Sequence, residues 1–260
     1  MQRVPAIELS HVSKTFQLND GRSILALDDI SLAIREGEFV ALLGPSGCGK
    51  STILRLIAAL DTPGAGQIRV EGVAPAELSR AHRLGVAFQD AALLPWLSIA
   101  ANISLPFRLA GHPVDQARVD DLIRRVGLAD FAHARPGQLS GGMRQRAAIA
   151  RALVLSPEVL LLDEPFGALD AVTRRSMNLE LMRLWSTQQI TTLLITHDVA
   201  EALFLADRII VLRPRPGRIA HEVDVPFPRP RDATIMRTEQ FHFMADTLTN
   251  MLADGFDEQA

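Results

Sequence analysis

The run Gly44-Pro45-Ser46-Gly47-Cys48-Gly49-Lys50-Ser51-Thr52 fits the pattern G-x-x-x-x-G-K-[ST], the spacing by which a chain wraps phosphate groups. Glycines at 44, 47 and 49 let the backbone come close and aim N–H groups at phosphate oxygens. Lys50 is placed for the β and γ phosphates, the Ser51 hydroxyl for Mg²⁺ and Thr52 for the α phosphate. Cys48 is tolerated within the loop, where a bulky thiol reagent would block the pocket, although a thiol near a helix start need not be reactive. More than a hundred residues later, the apolar run Val159–Leu162 leads into Asp163-Glu164-Pro165. Asp163 can hold Mg²⁺ through its water shell, and Glu164 can take a proton from a water attacking the γ phosphate. Either pattern alone could be a plain turn; together they read as a nucleoside triphosphate site.

Both patterns need strand ends and a helix start to place them. Phe39–Leu43 before the loop and Ile53–Ile57 after it supply a strand and a helix. Short β-like runs precede these at 6–9, 14–18, 24–27 and 30–34, which predicts an antiparallel lobe. Further β runs follow at 67–70, 84–88, 159–162, 192–195 and 208–212. Those apolar on both faces suit a buried parallel sheet. Between Asp90 and Pro157 helical periodicity takes over, as at 114–126 and 143–155. The organisation is therefore a core in two parts, 1–89 and 158–225, a helical insert at 90–157, and a tail at 226–260. The tail opens with Pro226, Pro228 and Pro230 and closes on a helix whose apolar face, Ile235, Phe241, Met244, Leu248 and Met251, suits core or dimer packing. The fold class is α/β, a mostly parallel sheet around a P-loop with an antiparallel β lobe and a helical insert.

Bulk properties narrow the function classes. In 260 residues with 48% hydrophobic and 22% charged, no apolar run reaches the length of a membrane span. The start of the chain has no secretory pattern, and the single cysteine agrees with a reducing compartment. A net charge of −3 gives no field to hold a polyanion, so no nucleic-acid partner is expected.

A third element, Leu139-Ser140-Gly141-Gly142-Met143-Arg144-Gln145-Arg146, precedes an alanine-rich helix. Ser140 reads as its N-cap, and two glycines in the first turn have no value to a simple capped helix. They make a second exposed helix start and a second anion seat. With this element the chain resembles the ATP-binding cassette family, the ATPase subunits of ABC transporters. The phosphate loop, Gln89 after a β run, Leu-Ser-Gly-Gly, Asp163-Glu164, Ala168-Leu169-Asp170 and His197 stand in the family's order over nearly the whole length.

The resemblance implies a role for each matching residue. Phe16 would stack on adenine, where Tyr is common; strand packing is the plain alternative. Gln89 would be the lid residue touching Mg²⁺ and the attacking water. Ser140, Gly141 and Gly142 would bind the γ phosphate of ATP held by a second subunit, Asp170 would cross the same interface, and His197 would fix the γ phosphate. Met143 departs from the Gln common in the signature. The family also implies a head-to-tail dimer closing on two ATP molecules and a separate membrane permease.

Asp90-Ala-Ala-Leu-Leu-Pro-Trp-Leu-Ser98 would offer Leu94 and Trp96 to that permease, unless both pack inside the insert. This Leu-Leu-Pro-Trp wording, the signature form and Arg215-Pro-Gly-Arg-Ile219 are similar to the nitrate, sulfonate and taurine importers. Their relatives handle bicarbonate, aromatic sulfonates and pyrimidine vitamin precursors. Such importers take cargo from an extracytoplasmic solute-binding protein, and the ATPase sits peripherally on the cytoplasmic face of the inner membrane. A soluble cassette acting on nucleic acid or ribosomes is the main alternative, but one phosphate loop and no basic linker weigh against it. A small-molecule kinase would leave Leu-Ser-Gly-Gly unexplained, and a cassette without hydrolysis would not keep Lys50, Gln89, Glu164 and His197.

Overall fold

The computed structural model describes residues 4–167 and 169–257; Ala168 and Met1–Arg3, both within the motifs and start considered above, lie outside them. The chain opens with β1 (Ile7–Gln17) and β2 (Ser23–Ile34), then β3 (Phe39–Leu43), α1 (Lys50–Ile57), β4 (Ala65–Val70), α2 (Pro75–Arg80) and β5 (Leu84–Ala87). Helices α3 (Ile99–Leu109), α4 (Gln116–Arg125) and α5 (Gly141–Leu153) fill the stretch before β6 (Val159–Asp163). There follow α6 (Ala171–Gln188), β7 (Thr191–Thr196), α7 (Val199–Leu205), β8 (Arg208–Arg213), β9 (Arg218–Asp224) and α8 (Glu239–Asp257).

Two sheets result. Strands β2-β1-β4 pair antiparallel, and the larger sheet runs β5-β6-β7-β3-β8-β9, parallel except for β9 at the edge. The four short β runs expected at the start of the chain are two long strands. Bulges shift the register of β1 against β2 between Leu9 and Thr15, and left-handed backbone at His11 and Asp29 breaks the alternation. Strand β9 was not expected, because the Pro and Gly residues around 214–217 read as a terminator rather than as a hairpin connection.

Alternation in the central strands divides the core. Val40 and Leu42 of β3, Leu161 of β6 and Ile195 of β7 pack toward α1 and the β lobe. Phe39, Ala41, Leu43, Leu162 and Leu194 face the opposite side, against α5, α7 and the insert. Both faces are therefore buried, which is why these strands carry no polar alternation. The tail closes over the second face: Phe241 and Leu248 of α8 are buried there, and the Phe227 and Phe241 rings stack at 5.7 Å.

Parallel pairing places the C-terminal ends of β5, β6, β7 and β3 along one edge of the sheet. Leu43 is in register with Thr196, Asp163 with Ile195, and Ala87 with Leu162. Gln89, Asp163-Glu164, His197 and Gly44 thus leave adjacent strands on the side where open α/β sheets bind ligands.

Candidate nucleotide site

The loop from Gly44 to Gly49 depends on its glycines for space. A Cβ on Gly49, whose φ is +94°, would stand 2.4 Å from Leu27 Cδ2, and one on Gly44 would meet the Leu212 carbonyl oxygen at 2.8 Å. Helix α1 starts at Lys50 with no side-chain cap, whereas Ser98, Asp115, Ser140, Asp170 and Asp198 cap α3, α4, α5, α6 and α7. Its first N–H groups are left for an anion, which the helix dipole favours at that end. Pro45, Ser46 and Gly47 form the exposed turn of the loop, with Gly47 at φ +80°; Ser51 and Thr52 begin the helix. Lys50 is buried, and its Nζ donates to the Gly44 and Pro45 carbonyls at 2.7 and 3.0 Å, with Cys48 Sγ at 3.9 Å. Burial pushes the Cys48 thiol up, against the opposing pull of Lys50, so it stays protonated.

Asp163 and Ser51 meet directly, with the hydroxyl donating to Oδ1 at 3.2 Å. Burial raises the Asp163 carboxyl above its usual range, partly opposed by the Ser51 bond. One residue on, Glu164 adopts φ +44°, a conformation that costs energy for a side chain of this size. The turn is held by Glu164 N–H donating to Ile195 O at 2.9 Å and Gly167 N–H donating to Glu164 O at 3.2 Å. It brings Glu164 Oε2 to 3.1 Å from His197 Nδ1.

Gln89 is exposed, and both flanks are tied to α5. Gln145 Nε2 donates to Phe88 O at 3.0 Å, while Arg151 donates to Ala91 O and Ala92 O at 2.8 and 2.9 Å. At the start of α5 the Ser140 hydroxyl accepts from Met143 N–H at 3.3 Å, which leaves its own proton to donate. Ser140 and Gly141 are exposed; Gly142 is buried, its Cα hydrogen side facing Leu169 and Thr173. No hydrogen bond among the described residues joins Ser140–Gly142 to the Gly44–Thr52 loop of the same chain. Asp170 caps α6, accepting from Thr173 and Val172, and the Thr173 bonds hold its carboxyl below the usual range. Phe16 lies on the antiparallel sheet, 38% exposed, with Lys14 Nζ 5.1 Å from its ring centre.

Three residues around this cluster escaped the reading of the sequence. Arg174, Asp198 and Glu201 join β7, α6 and α7 next to Glu164 and His197. Asp198-x-x-Glu201 has the spacing of an exposed capping box. Yet Thr196 Oγ1, at 3.0 Å, accepts the Asp198 N–H that Glu201 would otherwise serve, and Glu201 is buried.

A glycine-rich loop feeding an uncapped helix, with paired acids and a histidine on neighbouring parallel strands, defines a P-loop nucleotide-binding cassette. The sequence profile of the ABC transporter family matches residues 27–167, more than half of the chain. The chain is 47% identical to the nitrate import ATP-binding protein NrtC of Synechocystis over 88% of its length, and spans about a third of that protein (34%). It is 39% identical to the bicarbonate transport ATP-binding protein CmpD of Synechococcus elongatus, over 97% of this chain and 92% of the relative. Among solved structures, a dimeric post-hydrolysis state of the cassette MJ0796 bound to ADP and Pi matches with a TM-score of 0.76 at 33% identity, covering 85% of this chain and all of that one. The chain belongs to the ABC transporter family, as an ATP-binding cassette.

Proposed function

We propose that this chain hydrolyses ATP for an importer, paired head-to-tail with a second copy and driving uptake of a small solute, such as nitrate, bicarbonate, a sulfonate or taurine, through a separate permease. The observation that carries the catalytic part is the pair of contacts at one sheet edge, Ser51 with Asp163 and Glu164 with His197. The loop N–H groups and Lys50 would bind the β and γ phosphates, Lys50 turning to them the N–H now given to Cys48 Sγ at 3.9 Å. Glu164 would accept the proton of the attacking water, with His197 fixing both that carboxylate and the γ phosphate. Phe16 would carry the adenine on its exposed face.

The donor set suits Mg²⁺. Asp163, Ser51 and the amide oxygen of Gln89 are hard oxygen donors, and a cation would restore the charged form of Asp163 that burial disfavours. Bound there, Mg²⁺ would neutralise phosphate charge during transfer.

Dimer formation follows from the exposed seat at Ser140 and Gly141, which has no phosphate loop of its own chain against it; a second copy would supply one. Trp96, 67% exposed on the segment held to α5 by Arg151, would meet the permease. No helix among the described residues is long and apolar enough to cross a membrane, so a permease would have to come from another chain or segment. Taken with the importer relatives, these features suit a peripheral position on the cytoplasmic face of the inner membrane, with a solute-binding protein on the far side.

Substituting Glu164→Gln is expected to lower Mg²⁺-dependent ATP hydrolysis by about 100-fold or more while ATP-bound dimers accumulate in size-exclusion chromatography. Hydrolysis at the parent rate would remove Glu164 as the base. Purifying the same variant from membranes with ATP and Mg²⁺ tests the partner: a multi-span permease supports the importer reading, and ribosomes or nucleic acid would replace it with the soluble alternative.

A further inference from the structure

We infer that Arg174 is a positioning residue that locks the loop carrying Glu164 to the loop carrying His197. The inference rests on the catalytic reading of those two residues. Strands β6 and β7 pair only as far as Asp163 and Ile195, followed by the bond from Glu164 N–H to Ile195 O. Beyond that point no backbone hydrogen bond among the described residues joins the two loops, and the 3.1 Å approach of His197 to Glu164 needs another constraint.

Arg174 supplies it from the first turns of α6. Its Nη1 donates to Asp198 Oδ2 at 2.6 Å, next in the chain to His197. Its Nη2 donates to Leu169 O at 3.0 Å and its Nε to Phe166 O at 3.3 Å, both on the turn that follows Glu164. One planar guanidinium therefore measures the distance between the two segments, which a single ammonium cannot do. Asp198 is itself fixed on both sides, by Thr196 Oγ1 on its N–H at 3.0 Å and by Glu201 N–H on its Oδ1 at 2.9 Å. The same arginine faces Leu169, the neighbour of Asp170, so the spacing of the dyad and the path of the chain toward Asp170 are set together.

The test compares Arg174→Ala, Arg174→Lys and Asp198→Asn in the full chain. In all three, kcat for Mg²⁺-ATP should fall by about 10- to 100-fold, because misplacing a reacting group by about an ångström has that effect. KM should stay within about twofold, since the phosphate loop is untouched. Lysine should not restore kcat even where it restores the thermal midpoint. Unchanged kcat, or a kcat that recovers with stability in the lysine variant, overturns the inference.

A second measurement does not depend on turnover. The ring nitrogen resonances of His197, identified as those lost in His197→Gln, should move in Arg174→Ala and Arg174→Lys and stay in place in Arg183→Ala. Resonances that stay in place in all three overturn it. A parent chain without Mg²⁺-dependent hydrolysis would instead overturn the functional reading, and the resonances would still decide the role of Arg174.

Discussion

The central sheet and the helical insert are held together by different physics. In β3, β6 and β7, side chains on both faces are removed from water, and nothing can move without opening a packed layer. The insert shares the apolar core on one face of the sheet, Ile99, Ile103, Val119 and Leu122 lying in one buried cluster with Phe39 and Leu162, and its own segments are tied in addition by long polar side chains reaching backbone carbonyls. Arg118 of α4 donates to Leu153 O and Val154 O at the end of α5, Arg146 to Val126 O and Gly127 O, and Arg151 to Ala91 O and Ala92 O. Each such charge-assisted bond contributes about 1.5–3 kcal/mol. The sheet holds the site residues in register, while the insert adds polar ties to its apolar packing. Under the proposed function, exchangeable polar ties would suit a unit that passes motion on from Gln89, and fixed register would suit the phosphate site.

The contrast is broken most strongly from the sheet side. Leu42→Ala removes a fully buried side chain between the sheet and α1, one residue before the strand delivers the phosphate loop. Unfolding by denaturant should show a loss of about 2–5 kcal/mol, because the close-packed layer cannot collapse into the cavity. A loss below about 1 kcal/mol would mean that the layer relaxes as freely as the insert.

A smaller effect comes from Glu201, a carboxylate buried beside the dyad. Glu201 is pushed up to about 7 by burial, with Asp198 and Glu164 raising it further and Thr196 and Arg174 pulling it down; its Oε1 has no partner. In the folded chain it is neutral below that value, whereas in the unfolded chain it ionises near its ordinary 4.5. Between these values the unfolded state holds fewer protons, so this group's contribution is complete below pH 4.5 and lost as pH rises through about 7. Glu201→Gln does not titrate. Its stability relative to the parent should therefore rise by up to about 3 kcal/mol between mildly acidic and mildly alkaline buffer. Parallel pH profiles for the two proteins would mean that Glu201 is ionised in the fold.

The same contrast explains what could be read from the sequence. The phosphate loop, Asp163-Glu164 and the Ser140 cap are local patterns, and the apolar strands announce themselves by composition, so the core strands and the positions of the candidate site residues were legible in advance. Bulges at His11 and Asp29 cut β1 and β2 into pieces because the alternation that marks a strand fails there. The arginine ties within the insert and from α6 left no trace. Arg118, Arg151 and Arg174 are solvent-type residues on helices, and their carbonyl partners can belong to any residue. Gln145 passed as one letter of a signature although its amide holds Phe88 O. Glu201 followed the spacing of a surface capping box, and only the position of Thr196 shows that it faces inward.

The smallest effect is the most selective. Asn102 of α3 is fully buried, and its carboxamide organises the segment that presents Trp96. Oδ1 accepts from Leu94 N–H at 2.7 Å, while Nδ2 donates to Leu94 O, Leu97 O and Ser98 O at 3.1, 3.3 and 3.0 Å. With Asn102→Ala the Leu94 N–H loses its acceptor, a cost of about 1–3 kcal/mol where water cannot replace it. If the insert is a separately yielding unit, amide exchange should accelerate across residues 91–110 and remain slow in β3, β6 and β7. ATP affinity should hold at the parent value, since no hydrogen bond among the described residues joins the phosphate loop to this segment. Exchange that accelerates equally in the sheet would show that sheet and insert open as one cooperative unit, and the division of labour between them would have to be abandoned.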